Sequence, residues 1–120
     1  MIQTILLTVV ETQVFMRQAE KIWDEEERNA FVDHIARNPE AGDVIQGTGG
    51  IRKIRWSRKG SGKRGGTRVI YFYHHMDAPL YLLMAYAEAR QEDMTPDDKK
   101  AVTTLAAALK ALHPPRKDET

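Results

Sequence analysis

The chain contains no cysteine, which excludes disulfide staples and thiolate metal sites and is compatible with a reducing compartment. It also lacks any stretch approaching the roughly 18 uninterrupted apolar residues that a membrane span requires. No membrane partner is expected, and the expected address is the cytoplasm. The apolar opening MIQTILLTVVET has neither a basic leader nor a small-residue cleavage site, so it reads as a strand at 2–10 and not as a secretory signal. The most informative shortage is of acidic charge in mid-chain: no Asp or Glu lies between Asp43 and Asp77. Eight of the 18 Lys and Arg residues fall there, leaving the other 10 to face all 17 acidic groups elsewhere. The net charge of +1 therefore conceals one segment with a strong positive field. Such a field attracts polyanions and gains affinity from counterion release whatever the overall charge.

At 120 residues the chain has room for one domain, expected over 1–113, with a flexible polar tail at 114–120. Thr12 is placed to cap a short helix carrying Phe15, Ala19 and Ile22 on one face. Asp24 with Glu27 three residues later forms a capping-box pattern, and the helix it opens carries Phe31, Val32, Ile35 and Ala36 until Asn38-Pro39 ends it. Gly42 to Gly50 is punctuation. Strands follow at 51–56, 67–75 and 80–86, joined by short links that favour an antiparallel meander. The last of them is apolar on both faces, as suits a central strand covered by helix. Thr95-Pro96 opens a final helix with Val102, Leu105, Leu109 and Leu112 as its expected apolar face. These elements specify an α+β fold, with helices packed on a twisted antiparallel sheet that carries a basic strand-loop-strand segment.

Alternation along 51–56 puts Lys53 and Arg55 on one side of the strand and Ile54 and Trp56 on the other. Arg68 opens the next strand within reach of the same surface. Arg52, Arg58, Lys59, Lys63 and Arg64 surround this group as candidate RNA contacts, and exposed tyrosines among Tyr71, Tyr73, Tyr81 and Tyr86 would offer stacking surfaces for unpaired bases. A lysine-rich strand more often serves to block edge-to-edge pairing. Eight cations with no carboxylate among them argue otherwise, because a solubilising surface mixes signs. Two competing motifs fail. Gly62-Lys63 lies in a glycine-rich loop, but Ser57 and Arg64 stand where a phosphate loop needs glycine and a magnesium-binding hydroxyl. His74 and His75 are adjacent on an expected strand and so diverge; with His34 and His113 unpartnered, no metal site is expected. No cofactor is implied.

The segments GDVIQGTGGIRKIRW, KGSGKRGGTRVIYFY, LYLLMAY and TPDDKKAVTTL resemble the HigB branch of the RelE/ParE toxin superfamily, from about Asn38 to the last helix. The resemblance implies a ribosome-dependent endoribonuclease that cleaves mRNA in the A site without a metal. It also implies partners: the ribosome with its mRNA, and a HigA-like antitoxin with a helix-turn-helix domain. The family's basic pair falls on Lys53 and Arg55, and its phosphate-binding arginine falls on Arg68, the three expected catalytic residues. Attack by a 2′-hydroxyl needs a base, a stabilised pentavalent phosphate and a protonated leaving oxygen. Arg55 suits the electrostatic part because guanidinium does not give up its proton. Lys53 can serve as base where neighbouring positive charge favours its neutral form.

One position departs from the family. Relatives carry Tyr-Gly-Lys after the last strand, whereas this chain has Tyr86-Ala87-Glu88, with Arg90 two residues further on. Glu88 either faces solvent or weakens catalysis. Two alternatives to the ribosome-dependent nuclease therefore stand: a catalytically weakened or non-enzymatic RNA- and antitoxin-binding member, and a gyrase poison of the ParE kind.

Overall fold

The computed structural model describes residues 7–57, 66–89 and 93–115. Their order is β1 (Val9–Glu11), α1 (Gln13–Ile22), α2 (Glu25–Arg37), β2 (Asp43–Val44), β3 (Ile51–Ser57), β4 (Gly66–Phe72), β5 (Leu80–Ala87) and α3 (Pro96–Leu112).

Every helix starts at its expected cap. The Thr12 hydroxyl accepts from the Phe15 amide at 3.2 Å. Asp24 and Glu27 form the full capping box, with Asp24 Oδ1 accepting from Glu27 N at 2.8 Å and Glu27 Oε1 from Asp24 N at 3.1 Å. Thr95 caps α3 ahead of Pro96. At α2 the dipole is matched at both ends, by Glu25, Glu26 and Glu27 in the first turn and His34 and Arg37 in the last.

The strands form one sheet in the order β1-β5-β4-β3-β2. As the sequence predicts, β3, β4 and β5 form an antiparallel meander. The amino-terminal strand departs from expectation. Of the expected 2–10 strand only Val9 and Val10 are paired among the described residues, in a strand that continues to Glu11 and runs parallel to β5, making the sheet mixed. α1 and α2 intervene before the chain returns, and parallel neighbours need that kind of connection. β4 ends at Phe72, short of the expected 75, and Tyr73 to His75 leave the sheet. The glycine-rich stretch also contains an unforeseen two-residue edge strand, β2. It turns into β3 through Gly47, Gly49 and Gly50 at φ 79°, 78° and 114°, angles that a Cβ disfavours.

Two apolar layers sandwich the sheet. Phe15, Ala19, Trp23, Phe31 and Ile35 of the first helical hairpin pack on Val69, Tyr71, Leu80, Leu82 and Ala85. On the opposite face, Val102, Ala106 and Leu109 of α3 cover Ile51, Ile70, Phe72, Leu83 and Tyr86. The buried stripe of α3 thus runs through Ala106, while the expected Leu105 and Leu112 are 38% and 68% exposed. Residues 102, 106 and 109 follow helical spacing on one side, which turns Leu105 and Leu112 away.

β5 serves both layers because it carries a bulge. Ile70 pairs with Met84 and the next residue, Tyr71, with Leu82, so Leu83 is an extra residue in β5. The bulge changes the alternation, so that Leu80, Leu82 and Ala85 all face the helical hairpin. Tyr86 is thereby turned toward α3.

Candidate nucleic-acid interface

β3 has two chemically different faces. Ile54 and Trp56 pack toward α1 and α2, while Ile51 packs toward α3. Lys53 and Arg55 alternate with Ile51 and therefore share its side of the sheet. Lys53 lies opposite Ile70 and Arg55 lies directly opposite Arg68. The three expected catalytic cations thus project from one face, and none of them is part of the apolar cluster that α3 forms there.

Two like charges in direct cross-strand register repel each other. Here a carboxylate lies between them. Glu88 follows β5 immediately, and its amide extends the ladder by donating to Gly66 O at 3.0 Å. Arg68 Nη2 donates to Glu88 Oε2 at 2.6 Å. Arg55 Nε lies 2.6 Å from Glu88 Oε1 but does not aim its N–H along a hydrogen bond, so this contact is a charge pair. The Glu88 and Arg68 side chains are 22% and 19% exposed, whereas Arg55 is 59% exposed. The hydrogen bond to Glu88 holds the Arg68 guanidinium more firmly in its charged form than an ordinary arginine, outweighing its partial burial. Gly66 makes room for this arrangement: a Cβ there would collide with Glu88 Oε1 and come within 2.9 Å of Arg55 Nε. The solvent-facing option for Glu88 is excluded. Lys53, by contrast, has no carboxylate partner among the described residues.

Arg52 falls on the other side of the strand from Lys53. Its Nη1 donates to Gly42 O at 2.7 Å and to Glu40 O at 3.3 Å, and its Nη2 lies 3.8 Å from the Glu40 carboxylate. This guanidinium fastens the segment before β2 to β3, which separates Arg52 from the expected RNA contacts. Arg58, Lys59, Lys63, Arg64 and Arg90 lie outside the described residues.

The tyrosines correct another expectation. Tyr71 is fully buried, donating to Pro39 O and accepting from Gly42 N, each at 2.8 Å. Tyr86 is 7% exposed, and its hydroxyl has no hydrogen-bond partner among the described residues. Burial, with smaller help from Asp93, pushes the Tyr86 phenol up to about 12. Neither offers a stacking surface, because β4 and β5 are interior strands covered by helix on both faces; Tyr73 and Tyr81 are only partly covered.

The histidines likewise have partners that sequence did not show. His34 lies against Trp56 with ring centroids 4.9 Å apart, and His113 Nε2 shares a 2.7 Å hydrogen bond with Tyr81 Oη. His74 and His75 leave β4 as neighbours, with ring centroids 4.8 Å apart, and His75 Nε2 meets His113 O at 2.9 Å. Burial, then the charges of His75, Lys110 and His113, lowers the His74 pKa. No group of three or more metal-ligating side chains occurs among the described residues.

The cation face can therefore hold an anion and stabilise developing negative charge on phosphorus. The one functional-looking residue that alternation misplaces is Glu88. Counted regularly from Leu80 it shares the Leu80 face, and only the bulge at Leu83 brings it to the arginines.

A family described as the RelE toxin of the RelE / RelB toxin-antitoxin system matches residues 7–116. Among solved structures, the chain is similar to a double arginine-to-alanine mutant of the E. coli toxin RelE in the free state. The TM-score is 0.56 at 11% identity, over 84% of this chain and 97% of that one. No helix among the described residues is long and apolar enough to cross a membrane.

Proposed function

The chain belongs to the RelE toxin family, and on that footing we propose that it is the toxin of a type II toxin-antitoxin pair, an endoribonuclease of the HigB branch that cuts mRNA in the ribosomal A site. The observation that carries this reading is the sharing of one face by Lys53, Arg55 and Arg68, none of which belongs to the apolar cluster under α3. In this role Arg55 and Arg68 bind the scissile phosphate and stabilise its pentavalent state, and Lys53 is the proton carrier for the 2′-hydroxyl. Arg58, Lys59, Lys63, Arg64 and Arg90 extend the contact to ribosomal RNA. A HigA-like antitoxin with a helix-turn-helix domain is the proposed neutralising partner, and the site of action is the cytoplasm.

A second reading draws on the Glu88 carboxylate: with both arginines already paired, the chain is an attenuated toxin or an RNA- and antitoxin-binding member. One experiment separates the two. Inducible expression followed by mapping of mRNA ends is expected to show growth arrest and in-frame cuts that require ribosomes. Lys53→Ala and Arg68→Ala should each reduce cutting on the order of 10²-fold, the usual cost of losing one charge-stabilising donor. Undiminished growth arrest in both variants sinks the nuclease assignment, and absence of cuts with wild type favours the attenuated reading.

A further inference from the structure

Two guanidiniums in cross-strand register define a seat for a single anion, and in this chain the seat holds a side chain. Glu88 reaches both arginines at 2.6 Å, one through each carboxylate oxygen. The match is incomplete. Among the described residues Arg68 Nε is buried with no acceptor, and Glu88 Oε1 accepts no aligned hydrogen bond. A guanidinium offers five N–H donors, so the pair presents many more than one carboxylate can engage. A phosphodiester carries the same single negative charge, and its four tetrahedrally placed oxygens offer more acceptor positions than the two of a carboxylate. Exchange of one for the other conserves charge in the seat, and the departing carboxylate is close to solvent.

We propose that the Glu88 carboxylate is an internal stand-in for an RNA phosphate, seated between Arg55 and Arg68, and that RNA binds by exchanging with it. The inference rests on the reading of this face as an RNA site and adds how that site is occupied at rest. Among the described residues Lys53 is the cation on this face without a carboxylate partner and makes the first contact, and the arginines join once Glu88 swings out. Glu88 therefore weakens RNA binding, because the arginines must leave its carboxylate before they meet a phosphate.

The test uses the full chain and a short fluorescein-labelled single-stranded RNA, 2′-O-methylated throughout so that it cannot be cut, with anisotropy read across a salt series. Glu88→Gln is expected to bind roughly tenfold tighter with an unchanged log–log salt slope, since the same phosphates are neutralised in both. Circular dichroism verifies folding. As a second measurement on wild type, the carbon-13 signal of the Glu88 carboxyl should shift on saturation with the RNA. If Glu88→Gln binds equally or more weakly, or the carboxyl signal stays put while Lys53→Ala still weakens binding, the stand-in is overturned and the RNA site survives. If Lys53→Ala changes nothing, or neither wild type nor Glu88→Gln binds, the RNA site itself is overturned, and the stand-in with it.

Discussion

Tyr86 is a phenol in an apolar setting, lying opposite Arg68 in the sheet with its hydroxyl unpartnered among the described residues. A buried hydroxyl without a partner costs about 1–3 kcal/mol, so Tyr86→Phe should hold or raise stability at neutral pH by about 1 kcal/mol in urea denaturation. Its pH signature has a definite sign. Folding raises this phenol from its ordinary value near 10 to about 12, so the folded state favours the protonated form. The associated stability is fully present below pH 10 and is lost as pH rises toward 12, by on the order of 2 kcal/mol. Tyr86→Phe should therefore show a shallower alkaline decline than wild type, and parallel curves would exclude this phenol as the titrating group. Arg52 shows that neighbours in sequence can have opposite fates: one position from Lys53, it is consumed by backbone carbonyls.

Thr12 joins two elements. Its hydroxyl accepts from the α1 backbone at 3.2 Å while donating to Leu82 O on β5 at 2.9 Å, and its amide donates to the same carbonyl at 3.2 Å. Thr12→Ala should cost about 1–2 kcal/mol, at the upper range for a cap because a tie to the sheet goes with it, and Thr12→Ser should recover most of the loss. An unshifted urea midpoint in Thr12→Ala would show the cap to be dispensable. Caps such as this were legible because a few residue types satisfy helix ends, and all three helices start where Thr12, Asp24 and Thr95 place them. The common facing of Lys53 and Arg55 was legible too, from period-two alternation. What could not be read depends on tertiary events. A one-residue bulge moves Glu88 across the sheet, a crossover makes β1 parallel, and Ala106, an inconspicuous residue, occupies the contact expected of Leu105. Two expected stacking tyrosines are buried because strands covered on both faces have no outward side.

In the whole molecule the sheet is clamped unevenly. β4 is paired on both edges and almost entirely buried, whereas β2 is a two-residue, exposed edge. Hydrogen exchange followed by mass spectrometry should find the amides of β4 slowest, those of β5 close behind and those of β2 fast; equal protection of β2 and β4 would contradict a core centred on β4. The helical hairpin packs one face along the strands, while α3 packs on the other in an apolar cluster that includes neither Lys53, Arg55 nor Arg68. Structural cohesion and anion chemistry are thereby assigned to different regions of one surface. Under the stand-in proposal, exchange of Glu88 for a neutral residue alters what this face binds while leaving both apolar layers untouched, so binding and foldedness can drift separately.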